Sequence, residues 1–202
     1  MVECLREARK SVMNFFAPLV QELFLTIMNS APAHEILPGL WLGNRTAAHD
    51  SNFIKQNNIT AIFNCTKDIP FKLNLVPHMY RIPLDDNLEP AEIRNLELWS
   101  WEAAYKLAKE LAGGNHVLVH CAAGMQRSAA TIAIYIVMRY RCTTDEAIAF
   151  IKSKRPVAFY GGANFYQSIR NFELGLRRII AEKNLYQDYP RTPLPSDAIT
   201  NT

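Results

Sequence analysis

A cysteine and an arginine lie six positions apart in the stretch His120–Ser128, which reads His-Cys-Ala-Ala-Gly-Met-Gln-Arg-Ser. The stretch joins a strand-like apolar run to a helix-like one. A tight loop at such a junction directs backbone N–H groups into one concavity, and with the helix N-terminus they form an anion site of phosphate size. Arg127 can bind two phosphate oxygens, and the positive field lowers the pKa of Cys121 below its usual value of about 8.5. A thiolate beneath a bound phosphorus atom is a nucleophile for phosphoryl transfer.

Strand-like and helix-like segments alternate along the chain, and this pattern predicts an α/β fold with a mainly parallel central sheet flanked by helices. The predicted strands lie within 35–43, 59–65, 80–84 and 116–120, and the predicted helices cover 90–112, 128–141, 143–155 and 164–183. Ligands bind beyond the carboxyl ends of the strands in such sheets. Cys121 follows the strand at 116–120, so the fold places it at that edge.

The composition indicates a globular chain with one core. Of its 202 residues, 49% are hydrophobic and 20% charged, which excludes a largely disordered chain. The net charge of +3 is small for a nucleic-acid binder, and no apolar run reaches the ~18 residues of a membrane span. The histidines lack metal-ligand spacing. We therefore expect no nucleic-acid partner, no membrane partner, no metal and no other cofactor.

The loop and its surroundings resemble the cysteine-dependent protein tyrosine phosphatases, in the form found in their dual-specificity branch. The signature of that family is His-Cys, five residues, Arg, and Ser or Thr. Besides the loop, the segments that carry the resemblance are Ile36–Gly43 (opening strands), Asn64–Thr66 (end of the second strand), Ile82-Pro83 followed by Asp (general-acid loop) and Arg155-Pro156 (late loop). The resemblance covers about residues 34–182 and implies a protein tyrosine phosphatase-like fold.

The resemblance implies hydrolysis of phosphotyrosine and phosphoserine or phosphothreonine in proteins through a cysteinyl-phosphate. Cys121 corresponds to the nucleophile and Arg127 to the phosphate-binding arginine. Ser128 corresponds to the hydroxyl that stabilises the departing thiolate, with helix capping as the alternative. Glycine at 124 permits the loop conformation and leaves room for the anion. The loop residues expected to bind phosphate are Ala122, Ala123, Gly124, Met125, Gln126 and Arg127.

The general acid of the family stands four residues after the Ile of Ile-Pro, which is Asp86 here, and we favour it over its neighbour Asp85. The alternative is a turn-forming pair that caps the next helix. His120 either orients the loop or is merely buried. The family often carries Asn three residues before the Phe that opens its last helix. This chain has Gly162 there, and the role of Asn164, beside Phe165, stays open.

Three cations end one predicted helix, and two cysteines follow neighbouring predicted strands. Lys152, Lys154 and Arg155 either complement the helix dipole or steer anionic substrates. Cys65 is a candidate redox partner for Cys121, although a one-residue offset would turn its side chain to the other face. Four cysteines in a chain of this length favour a reducing compartment, and we expect the cytoplasm, or the host-cell cytoplasm or virion for a viral member.

The chain divides into an N-terminal helical extension (1–30), a dual-specificity phosphatase catalytic domain (34–182) and a tail expected to be disordered (184–202). The extension carries an apolar stripe wider than one neighbour usually covers. Some viral dual-specificity phosphatases dimerise through an N-terminal helix, and this segment is similar in position and character. A homodimer is favoured, with packing on the domain and membrane or other partners as alternatives.

Three functions from different classes are compatible with these features. The first is a protein phosphatase acting on phosphoprotein substrates. The second applies the same chemistry to an RNA 5′-phosphate or a phosphoinositide, but Ala122, Ala123, Met125 and Gln126 add no cation to the loop, which favours protein substrates. The third is an inactive binding module, and the presence of Cys121, Arg127 and Asp86 disfavours it. The length of the chain also predicts a shallow rather than a deep phosphotyrosine pocket.

Overall fold

The computed structural model describes residues 31–195, so the predicted extension over 1–30 and the end of the tail, 196–202, lie outside the described residues. The strands are β1 (Ala33–Leu37), β2 (Leu40–Gly43), β3 (Ile59–Asn64), β4 (His78–Arg81) and β5 (His116–His120). The helices are α1 (Arg45–His49), α2 (Ser51–Gln56), α3 (Pro90–Ala112), α4 (Arg127–Tyr140), α5 (Thr144–Lys154) and α6 (Tyr166–Glu182).

The strands form one five-stranded sheet in the order β1-β2-β5-β3-β4. Strand β1 pairs antiparallel with β2 after a turn at Gly39, whose φ of +76° favours glycine, and the other pairs are parallel. The predicted α/β fold with a mainly parallel sheet is therefore confirmed. Because parallel strands end at the same edge, the segments that follow β2, β3, β4 and β5 meet around the carboxyl end of β5.

Helices cover both faces of the sheet, and β5 shows how. Val117 and Val119 belong to the larger apolar core, whereas Leu118 belongs to a smaller one, as the alternation of side chains along a strand requires. Helices α3 to α6 contribute to the larger core, and α1 and α2 contribute to the smaller one. Helix α4 is buried without interruption from Ser128 to Val137. The helix that follows the cysteine loop is thus fixed by packing on all sides.

Two expectations differ from the structure. The strand predicted at 80–84 is β4, His78–Arg81, and it ends before Ile82 and Pro83. Proline lacks the N–H that a ladder needs, so strand pairing stops before Pro83. The segment that follows, which carries Asp85 and Asp86, is called the acidic loop below. The tail expected to be disordered from 184 onward is mostly exposed up to residue 195, but it contacts the domain at a few positions. Within it, the Thr192 N–H donates to the Tyr140 carbonyl at 3.1 Å, and Tyr189 packs against the larger core.

No helix within residues 31–195 is long and apolar enough to span a bilayer.

Candidate active site

The loop between β5 and α4 is held with its carbonyl groups turned outward. Five consecutive carbonyl oxygens, those of residues 121–125, accept hydrogen bonds from groups outside the loop. The donors, in order of the carbonyl, are His120 Nδ1, the Arg45 N–H, Arg155 Nη2, Arg155 Nε and the Phe159 N–H. In a planar trans peptide the N–H points opposite to the C=O. The following N–H groups therefore face the inside of the loop, which is the predicted anion cradle.

The Cys121 thiol lies at the floor of this cradle. It is 2% exposed, and its Sγ accepts hydrogen bonds from Ser128 Oγ at 3.2 Å and from the Gly124 N–H at 3.3 Å. Burial by itself would raise the pKa of Cys121, but the Ser128 hydroxyl and amide, the charge of Arg127 and the Gly124 N–H together hold the pKa below its usual value. The thiolate is thus stabilised before a substrate arrives.

Arg127 opens α4, and its guanidinium reaches the acidic loop. Its Nη1 donates to the Leu84 carbonyl at 3.3 Å. Its Nε is buried and has no hydrogen-bond partner among residues 31–195. A buried donor without a partner is costly, and an oxyanion that is bound bidentately satisfies it. The arrangement fits the predicted phosphate-binding role.

Of the two reasons expected for glycine at position 124, the structure agrees with one and differs on the other. Its φ is +69°, as the loop conformation predicts. The space left by the missing side chain, however, is filled by β2 rather than kept for the anion. A Cβ atom at 124 would lie 2.5 Å from the Gly43 carbonyl oxygen, well inside contact distance.

The two neighbouring aspartates have different partners. The Asp85 carboxylate lies 3.3 Å from Lys67 Nζ, and its N–H donates to Glu92 Oε2 at 2.9 Å. Asp86 Oδ1 instead accepts a hydrogen bond from Asn164 Nδ2 at 2.6 Å. Asp85 is therefore anchored to Lys67 and Glu92, whereas Asp86 is joined to the loop that precedes α6.

The side chain of Gln126 is turned away from the phosphate cradle. It donates to the carbonyls of Tyr160 and Gly162 and accepts the Asn164 N–H. The group of Gln126 that is available for the expected phosphate contact is therefore its backbone N–H and not its side chain. The sequence contains the Gln126 and Asn164 pair but gives no sign that they meet across the fold.

Arg155 is the site residue that the sequence pattern misplaced. Among the three cations that end α5, it is fully buried, so it neither caps the helix at the surface nor steers substrates. It bonds to two carbonyls of the cradle, and its Nη1 donates to His34 Nδ1 at 2.7 Å. Burial lowers its pKa to about 10, which leaves it charged at neutral pH. The match of Arg155-Pro156 to a late family loop was the available signal.

His120 and the other described cysteines are buried groups of different kinds. Burial lowers the pKa of His120 to about 4, and Nδ1 of the neutral ring donates to the Cys121 carbonyl at 3.4 Å. Burial raises the pKa of Cys65 to about 12 and that of Cys142 to about 11. Both are free thiols. No group of His, Cys, Asp and Glu within the described range is arranged to hold a metal ion.

The comparisons with known proteins all point to one family. The sequence model of the dual specificity phosphatase catalytic domain matches residues 40–174. Mouse dual specificity protein phosphatase 2 is 33% identical over 123 residues, which are 61% of this chain and 37% of that protein. Human dual specificity protein phosphatase 16 is 29% identical over 181 residues, 85% of this chain and 26% of that protein. The chain thus spans well under half the length of these curated relatives.

Solved structures of phosphatases share the fold. The crystal structure of DUSP15 matches with a TM-score of 0.63 and 26% identity, and the match covers 75% of this chain and 96% of that one. The crystal structure of human DUSP28 matches with a TM-score of 0.63 and 23% identity, over 73% of this chain and 96% of that one.

Proposed function

Because this chain belongs to the dual specificity phosphatase catalytic-domain family, we propose that it hydrolyses phosphotyrosine and phosphoserine or phosphothreonine in proteins. The reaction proceeds through a cysteinyl-phosphate on Cys121. The observation that carries the proposal is the surroundings of that buried thiol: Cys121 Sγ accepts hydrogen bonds from Ser128 Oγ and from the Gly124 N–H, and its pKa is lowered accordingly. Such a thiol is ionised at a pH where an ordinary one is not, and the thiolate is the nucleophile.

Binding positions the phosphate over the thiolate. The inward N–H groups of residues 122–126 and the N-terminus of α4 donate to the phosphate oxygens, and Arg127 binds two of them through its planar fork. These groups neutralise the charge that develops on the oxygens in the transition state.

In the first step, Cys121 Sγ forms a bond to phosphorus as the bond to the leaving oxygen breaks. Asp86 gives its proton to that oxygen, so the alcohol or phenol departs neutral. The Asn164 hydrogen bond to Asp86 Oδ1 fixes the carboxyl and leaves Oδ2 for the proton. Asp85, in its ion pair with Lys67, is less suited to this role.

In the second step, water replaces the cysteine. The Asp86 carboxylate accepts a proton from the water, whose oxygen bonds to phosphorus while the S–P bond breaks. The electron pair returns to Cys121 Sγ, where the Ser128 hydroxyl donates a hydrogen bond at 3.2 Å and stabilises the departing thiolate. Phosphate leaves, and Asp86 is protonated again for the next cycle.

Protein substrates are favoured by the side chains of the cradle. Ala122 and Ala123 are exposed and uncharged, and the Gln126 side chain is occupied by the neighbouring loop. Apart from Arg127, the cradle offers no cation for the extra phosphates of an RNA 5′ end or a phosphoinositide. The phosphate of a single phosphorylated residue matches the charge that the site can bind.

The experiment is phosphate release by the purified full chain in EDTA, compared with Cys121→Ser. The substrates are phosphotyrosine, phosphoserine and phosphothreonine peptides, a 5′-triphosphorylated RNA and phosphoinositide vesicles. We expect release from the peptides, inhibition by vanadate and no release by Cys121→Ser. Release from RNA or lipid alone would favour the non-protein substrate. A folded wild-type chain without activity would favour the binding module.

Cellular location and assembly stay predictions. The free thiols of Cys65 and Cys142 are compatible with a reducing compartment such as the cytoplasm. The homodimer depends on residues 1–29, which lie outside the described residues. Light scattering of the full chain and of a chain starting at His34 compares the alternatives. A dimer that becomes a monomer on truncation is the expected result, and two monomers of equal stability would contradict it.

A further inference from the structure

The carboxamide of Gln126 lies where the cradle meets the loop that precedes α6. Gln126 is 7% exposed. It occupies the N-cap position of α4 but makes no side-chain hydrogen bond to that helix. Its side chain crosses instead to residues 160–164. A polar group this buried is normally retained for its hydrogen bonds.

The amide of Gln126 uses donor and acceptor together. Nε2 donates to the Tyr160 carbonyl at 3.1 Å and to the Gly162 carbonyl at 2.8 Å. Oε1 accepts the Asn164 N–H at 3.1 Å. A carboxylate lacks the two donors and an ammonium lacks the acceptor, so an amide of this length is suited to all three contacts.

The loop held by these contacts has an unusual backbone. Phe159, Gly161 and Gly162 have φ values of +54°, +75° and +113°, all in the left-handed range. A Cβ atom at Gly161 or Gly162 would meet no atom within 4 Å, so these glycines serve the chain path and not a close contact. At Tyr160 and Gly162 the loop is therefore joined to the cradle through its backbone carbonyls, which accept from Gln126.

The far end of the loop reaches the proposed general acid. The Asn164 N–H is bound by Gln126, and its side-chain amide donates to Asp86 Oδ1 at 2.6 Å. One continuous chain of contacts thus leads from the residue before Arg127, through Asn164, to Asp86. The two halves of the reaction, phosphate binding and proton transfer, are joined by the side chain of Gln126.

We propose that Gln126 is a positioning residue for the general acid, which fixes Asp86 relative to the Cys121 thiolate. The inference rests on the proposed phosphatase function. Without the three contacts, Asp86 moves with the 159–164 loop and transfers its proton less effectively. The loss then falls on substrates whose leaving oxygen needs a proton, and spares those with a good leaving group. A misplacement of about 1 Å can cost about 10²-fold in rate.

The test uses Gln126→Met in the full chain, which keeps the length of the side chain and removes its polar atoms. Gln167→Met is the matched control, because Gln167 is exposed on α6 and bonds only to Asn171 among the described contacts. For each protein, kcat/KM is measured on aryl and alkyl phosphates of increasing leaving-group pKa, because kcat/KM reports the steps up to departure of the leaving group and not the later hydrolysis of the cysteinyl-phosphate, in which Asp86 also takes part. The affinity for vanadate shows whether a substitution changes anion binding in the cradle itself.

We expect Gln126→Met to lose about 10–10²-fold in kcat/KM on alkyl phosphates and less than about threefold on nitrophenyl phosphate. The plot of log kcat/KM against leaving-group pKa becomes steeper, while the vanadate affinity of Gln126→Met and all values for Gln167→Met stay at those of the wild type. In an Asp86→Ala background the Gln126 substitution adds no further loss, because both act on one step. An equal loss on every substrate, an unchanged slope or additive losses would overturn the inference.

A second variant keeps the inference testable if Gln126→Met fails to fold. If Gln126→Met lacks a cooperative thermal transition, Gln126→Glu is measured in the same series, because it keeps the acceptor for the Asn164 N–H and loses both donors. It must also steepen the slope. An inactive wild-type chain would overturn the proposed function. An active wild-type chain with equal slopes in all variants would overturn this inference alone.

Discussion

Two buried thiols at the same edge of the sheet have opposite chemistry. Cys121 follows β5 and Cys65 follows its parallel neighbour β3, and the preceding residues, His120 and Asn64, are partners in the register. Their exposures are 2% and 0%. Yet the pKa of Cys121 is lowered, whereas that of Cys65 is raised to about 12. Burial alone therefore does not decide the reactivity of a cysteine.

The difference comes from the groups around each sulfur. Burial is the largest influence on both, and for Cys65 the Thr131 hydroxyl at 3.4 Å does not offset it. The charge of Arg127 lowers the pKa of both thiols, but only Cys121 also has the Ser128 hydroxyl and amide and the Gly124 N–H. The Gly124 N–H faces the sulfur because the carbonyl of its peptide, that of Ala123, is bound from outside by the buried Arg155, and the packed helix α4 presents Ser128. The loop architecture, rather than the residue type, makes the nucleophile.

The largest expected effect comes from replacing each of the two cysteines by serine in a separate variant. Cys121→Ser should reduce hydrolysis of an aryl phosphate to below about 1% of wild type, because a hydroxyl is not ionised in this cradle. Cys65→Ser should retain activity within about threefold, since its sulfur takes no part in the reaction. Steady-state kinetics with circular dichroism as the folding control measures both. Activity of Cys121→Ser above about 1% of wild type would exclude Cys121 as the nucleophile.

The next effect separates the two aspartates. Asp86→Ala should lower kcat by about 10²–10⁴-fold on substrates with poor leaving groups, because the proton donor is lost. Asp85→Ala is the matched control and should have a milder effect, through its ion pair with Lys67. Leaving-group series for both variants give the comparison. If the two variants exchanged their behaviour, the general acid would be Asp85.

A smaller effect is expected when each sulfur loses its nearest hydroxyl. Ser128→Ala should raise the pKa of Cys121 and lower kcat by about 10²-fold, as loss of one donor to a developing anion does elsewhere. Because the thiolate is the active form, the fall of kcat/KM at low pH should move to higher pH. Thr131→Val removes the hydroxyl beside Cys65 and should leave that pH limb in place. Equal shifts in both variants would show that Ser128 acts only on the helix.

Local features of the site could be predicted from the sequence. The cradle lies within one strand-loop-helix segment, so the spacing of Cys121, Arg127 and Ser128 already describes its geometry. The mainly parallel sheet follows from the alternation of segments, and the helix predicted at 143–155 begins, as α5, with a capping box formed by Thr143 and Glu146. These predictions need only neighbours in sequence.

Contacts between distant segments could not be predicted in the same way. The Asp86–Asn164 bond joins positions 78 apart, and the Arg155–Gly124 bond joins positions 31 apart. The dipole rule places a cation at the end of a helix on the surface, but tertiary packing draws Arg155 beneath the cradle. The proline-containing tail was expected to be disordered because of its composition. A few contacts nevertheless join it to the domain, for instance that of the Tyr189 ring with the Arg141 guanidinium.

The central claim is that the cradle, and not burial, sets the reactivity of the thiol. The most direct test is alkylation of the native chain by iodoacetamide across a range of pH, followed by peptide mapping of Cys121, Cys65 and Cys142 together. We predict that Cys121 reacts at a pH well below about 8.5, the ordinary thiol pKa, whereas Cys65 and Cys142 react only after unfolding. Alkylation of Cys121 only above that pH, or of Cys65 as fast as Cys121, would contradict the claim.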